Sequence, residues 1–114
     1  MSYQRRLSVA DECVEAAEAA VESLDDPRLQ DAKSRFSDIQ EQLTEMFTAG
    51  AGEISAVASA ELVGLDVSAS RAYIHELYEL TSDRPDVQLR LGEIIERFVR
   101  DDAEFTEKMT QVHN

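Results

Sequence analysis

Residues 7–46 read LSVADECVEAAEAAVESLDDPRLQDAKSRFSDIQEQLTEM. Two apolar rhythms run through this stretch. Leu7, Ala10, Val14, Ala17, Val21 and Leu24 recur at alternating spacings of three and four, the seam of an amphipathic helix. Leu29, Ala32, Phe36, Ile39, Leu43 and Met46 repeat the rhythm. Between them stands Asp25-Asp26-Pro27, where Pro27 suits the first helical position and Asp26 the N-cap. Two seams of similar length joined by a short turn predict an antiparallel helical hairpin over about residues 4–48. Ser8 and Asp11 have the spacing of a capping box, which sets the start of regular helix near Ser8.

Beyond the hairpin, Ala49-Gly50-Ala51-Gly52 predicts a break, with Gly50 as a left-handed helix stop. A third helix is expected from about Glu53 to Val63, with Ile54, Val57, Ala58 and Leu62 inward and Gly64 ending it. Ser68 caps a fourth over about 68–81, burying Tyr73, Leu77 and Leu80, with Ile74 at the edge. The competing reading is one helix over 53–81, because a glycine costs only ~1 kcal/mol inside a helix. Ser82-Asp83-Arg84-Pro85 is the last turn. The final helix, about Pro85–Gln111, carries the stripe Val87, Leu91, Ile94 with Ile95, Phe98, Phe105, Met109 and Val112, with Asp102 where an apolar residue belongs. It would be roughly 40 Å long. The expected fold is all-α: a single domain over residues 1–114, an antiparallel helical bundle of four to five helices with a long N-terminal helical hairpin and a long C-terminal helix.

The 114 residues are 43 % hydrophobic and 31 % charged, a globular composition. The core must be mostly aliphatic, since there are three Tyr, four Phe and no Trp. The net charge is −13, from 24 Asp and Glu against 11 Lys and Arg, and Lys33 and Lys108 are the only lysines. A field of this sign repels phosphates and anionic membranes and favours basic partners and cations. It also resembles the composition of proteins from halophilic or high-GC organisms. Cys13 is the only cysteine, so neither an intrachain disulfide nor a Cys-based zinc site is available. It should be a small core residue, with anionic neighbours that keep the thiol protonated. The N-terminus lacks the apolar run of a signal peptide and no window approaches a membrane span, so the chain is expected to be cytoplasmic, or secreted by a route needing no cleaved signal.

Carboxylates are the most frequent candidate ligands. Glu12, Glu15 and Glu18 step along the first helix, and Asp38 and Glu41 along the second. Paired carboxylates on a helical hairpin resemble the magnesium site of the MazG-type all-α nucleotide pyrophosphohydrolases, in which two helices hold the cation that gathers a triphosphate. Here the second element is D-x-x-E, and the heptad positions turn most of these side chains from the seam, as on an ordinary solvated face. His75 and His113 have no Glu three residues before them, unlike the Glu-x-x-His pairs of di-iron bundles. Ala60 to Leu77 resembles a helix-turn-helix, with a glycine four residues after an alanine and a second helix bearing Arg71 and His75. Asp102 implies either that the helix leaves the core there or that an arginine such as Arg71 pairs with it.

No catalytic residue, metal ligand or cofactor is expected. The expected function is a homodimeric, non-catalytic protein–protein interaction module, an adaptor, assembly chaperone or regulatory subunit, whose basic partner docks on a helical groove. Glu12, Glu15, Glu18 and Glu22 form its candidate acidic face. Ile94, Ile95, Phe98, Val99, Phe105 and Met109 are its candidate groove or homodimer residues. The alternatives are a nucleic-acid mimic that presents the same carboxylates as phosphates, an acidic helix-turn-helix regulator, and the magnesium pyrophosphohydrolase.

Overall fold

The structure is a computed structural model that describes residues 3–49 and 56–113, with side chains over 6–48 and 60–102. The described residues form four helices and no strand: α1 (Tyr3–Val21), α2 (Pro27–Ala49), α3 (Ala56–Leu80) and α4 (Pro85–His113). None of them is long and apolar enough to cross a membrane.

Helix boundaries follow local chemistry. The Asp26 carboxylate accepts the backbone N–H of Arg28 at 2.9 Å, as an N-cap does, with Pro27 at the first helical position. The Arg28 guanidinium closes on the same carboxylate at 2.7 Å and holds its pKa down at about 2. At the end of α3 the buried Thr81 hydroxyl donates to the Leu77 carbonyl at 2.9 Å, which satisfies a terminal acceptor. Pro85 opens α4, and Gln88 Nε2 donates to the Tyr78 carbonyl at 3.1 Å, tying the two helices together at their turn. Helix α1 starts at Tyr3, ahead of the expected Ser8, and Ser8 lies exposed within it.

Packing departs from the expected hairpin. α1 packs on α3 and α4, while α2 packs on α3; the consecutive pair α1–α2 has no comparable interface. The reason lies in α3, whose described part is apolar around most of its circumference. Such a helix takes the middle of a fold. Val63, Val67, Tyr73, Ile74 and Leu77 are buried in it, and Ser70 donates its hydroxyl back to the Asp66 carbonyl. Phe36 of α2 stacks on Tyr73 with ring centroids 4.4 Å apart. Glu18 with Tyr73 runs α1 parallel to α3; Arg35 with Glu76 and Gln88 with Tyr78 run α2 and α4 antiparallel to it. α2, α3 and α4 thus lie side by side, with α1 over α3 and α4. The Cα envelope is 44 × 32 × 16 Å, about two helix layers thick. The radius of gyration is 15.4 Å, against about 13 Å for a compact chain of this length.

Two neighbours widen the buried face of α1, which holds Ala10, Cys13, Val14, Ala17 and Ala20. One neighbour narrows that of α2: Leu29, Ala32, Phe36 and Leu43 are buried, but Ile39 and Met46 are exposed. The break expected at Gly64 is absent. α3 continues through it, because Val63 and Val67 carry one buried face across the glycine, and a Cβ there would meet nothing within 4 Å. The helix-turn-helix resemblance loses its turn in consequence. Ile54, Val57 and Ala58 lie outside the described side chains, as does the expected stop at Gly50. Asp102 is paired, with Arg6 and not Arg71: the guanidinium donates to both its oxygens, at 2.6 and 3.2 Å, and fastens the start of α1 to α4.

Candidate functional site

Because α1 covers α3 and α4 and leaves α2 to one side, a groove of about 480 Å³ opens between α1 and α2. Its apolar lining comes from Ala19, Val21, Leu24 and Leu29, with Tyr73 of α3 beneath. Glu15 and Glu18 of α1, Glu22 just past its end, and Gln30 and Lys33 of α2 also line it. The spacings of three and four that join the three glutamates put them on one side of α1.

Glu18 is the junction of the site. Its Oε2 accepts the Tyr73 hydroxyl at 3.3 Å and lies 3.6 Å from Lys33 Nζ, so one carboxylate links α1, α2 and α3. Burial, reinforced by the Glu18 charge, pushes the Tyr73 phenol well above its ordinary value and keeps it a hydrogen-bond donor. Glu15 and Glu22 are exposed and form no ion pair among the described residues. With a single ammonium against three carboxylates, the groove keeps an anionic excess.

The structure divides the expected acidic face. Glu12 turns toward α4, where Arg97 donates to it at 2.9 Å, while Glu15, Glu18 and Glu22 line the groove. Two of the four carboxylates therefore already hold a cation, which leaves a broken row for phosphate mimicry. Asp38 and Glu41 are exposed, most of a half-turn from the α2 face that buries Phe36 and Leu43. They do not converge with the α1 glutamates, and among the described residues no group of three or more His, Cys, Asp or Glu is placed to hold a metal ion. Cys13 is buried against α4, and burial raises its pKa.

The candidate groove and dimer residues also separate. Phe98 is 2 % exposed, inside the chain's own core, and Ile94 and Ile95 are half-buried against that core. Val99 is exposed; the side chains of Phe105 and Met109 lie outside the described residues.

Lys33 and Tyr73 escaped the sequence reading. Lys33 was legible: it stands as far after the Asp25–Asp26 turn as Glu18 stands before it. Tyr73 read only as a core residue, and the projection of its hydroxyl to Glu18 depends on α3 lying beneath the groove. No protein-family model, curated protein or solved structure matches the chain.

Proposed function

We propose that the chain is a non-catalytic interaction module and that its α1–α2 groove receives a basic helical segment of a protein partner. The carrying observation is the row Glu15, Glu18 and Glu22 along one wall of a groove with an apolar lining and a single lysine. Apolar contact supplies affinity in such a groove, while rim carboxylates speed encounter and select against acidic partners. Lys33 occupies Glu18 in the free protein, so an incoming cation exchanges with it at little cost, because exposed ion pairs contribute little.

The test is titration of a synthetic helical peptide, alanine-based with arginines at i, i+3 and i+7, into the full chain. Glu15→Gln with Glu22→Gln should weaken binding about tenfold at ~0.15 M salt, where the Debye length is about 8 Å. The difference should shrink at ~1 M salt. Equal binding by the parent and the double variant at low salt refutes the reading.

A further inference from the structure

We propose that the face of the α2–α3–α4 layer opposite α1, exposed among the described residues, receives one amphipathic helix of a protein partner, apolar along its length and basic at both ends. The exposed residues in the described part of α3 are Glu61, Leu65, Ser68, Ala72, His75 and Glu79. Their spacings alternate between four and three, so they form one stripe along the helix. The remaining described residues of α3 are buried or half-buried, against α2 through Tyr73 and Glu76, against α4 through Ile74 and Tyr78, and against α1 through Tyr73. The stripe is the floor of a shallow trough between α2 and α4.

Each wall contributes apolar side chains, beside the Arg35–Glu76 pair on one side and Arg71 on the other. Counting four residues along each helix from the Arg35–Glu76 pair sets Ile39 beside Ala72, and counting eleven sets Met46 beside Leu65. Across the stripe, Val99 and the half-buried Ile95 of α4 border His75 and Arg71. Among the described residues five large hydrophobics are exposed, and Ile39, Met46, Leu65 and Val99 are four of them. Their gathering on one face marks an interaction surface, where scattered exposure would mark nothing. Ser68 and Ala72 at mid-stripe are small enough for a docked helix axis to approach to about 8 Å.

Charge decides the occupant. Glu61 and Glu79 close the two ends of the apolar band, roughly 27 Å apart along the helix, and neither has an ion-pair partner among the described residues. A helix of about five turns with lysine or arginine at both ends meets both carboxylates and lays its apolar stripe on the band. A second copy of this chain fits worse. Whichever way two α3 helices run, symmetry sets glutamates against glutamates at both ends, between two chains of charge −13.

The probe is a fluorescein-labelled 20-residue peptide, leucine at alternating three and four spacing, alanine elsewhere, two lysines at each end. Its anisotropy is followed against the full chain. We expect saturable binding that Ala72→Glu weakens at least tenfold. Glu61→Lys with Glu79→Lys should weaken it about as much. Glu15→Gln with Glu22→Gln should leave it unchanged, so this face and the α1–α2 groove succeed or fail separately. Amide shifts on binding should centre on Leu65, Ser68, Ala72 and His75. All the substituted positions are exposed, and circular dichroism checks that the variants fold. Binding indifferent to Ala72→Glu, or shifts centred on the α1–α2 groove, overturns the proposal. So does a dimer of the free chain in sedimentation that Ala72→Glu dissolves, because the occupant is then a second copy.

Discussion

Replacing Gly64 by alanine tests the central feature of the fold, the unbroken α3. Within a helix, alanine restricts the unfolded chain and lacks the backbone freedom that makes glycine costly, a difference of about 1 kcal/mol. The new methyl meets nothing within 4 Å, so no steric cost offsets the gain. For a chain of this size the melting temperature should rise by about 5 °C. The urea midpoint should move up by roughly 0.5 M, at an ordinary slope of about 2 kcal/mol per molar. Thermal and urea unfolding followed by circular dichroism at 222 nm measure both. A helix that stopped at Gly64 would hold it in the left-handed region, where alanine costs about 1–2 kcal/mol and the shift changes sign. A fall in melting temperature for Gly64→Ala therefore refutes the continuous helix. Gly64→Pro is the companion variant. It should lose ~3 kcal/mol or more, because it removes an N–H from the middle of α3 and collides with the preceding turn.

Two further predictions follow from charges between helices. Asp66 and Asp11 both have raised pKa values, each mainly through burial, with the Asp11 charge adding at Asp66 and the Glu15 charge adding at Asp11. A raised carboxylate destabilises the fold above its folded pKa and ceases to do so as pH falls through that value, so acidification from neutrality should first stabilise the protein. Asp66→Asn should stabilise by about 0.5 kcal/mol at pH 7, the scale of a like-charge pair on a helix surface, and remove part of that pH response; an unchanged response counts against it. The depressed Asp26 acts oppositely, since its contribution is present above pH 3.8 and lost as pH falls toward its folded value of about 2. At the other end of the fold, Asp102→Asn should cost about 2 kcal/mol, the scale of a partly buried, charge-assisted fork. It should also speed amide exchange at the start of α1. Arg6→Met in the Asp102→Asn background should cost much less than in the parent, and additive losses would show that the two side chains act separately.

Much of the secondary structure was legible in the sequence. The Asp26 cap with Pro27 located the α2 start and Pro85 the α4 start, because such signals are settled within about four residues of chain. Burial of Ala10, Val14, Ala17, Leu29, Phe36 and Leu43 followed from the three–four rhythm. The groove was legible in part: periodicity put Glu15, Glu18 and Glu22 on one side of α1, and the turn related Glu18 to Lys33.

What the sequence could not supply was the choice of neighbours. An apolar seam states that a helix will be covered, and nothing in its spacing states by which helix. Only the tertiary structure decided that α3 takes the centre, that α1 covers α3 and α4 while α2 leans chiefly on α3, and that Gly64 stays helical under that packing. The same decision left Ile39 and Met46 exposed, gave Asp102 to Arg6, sent Glu12 to Arg97 and placed Tyr73 beneath the groove. Each of these joins residues far apart in the chain, and their energies are settled by three-dimensional burial and pairing, which local periodicity does not encode.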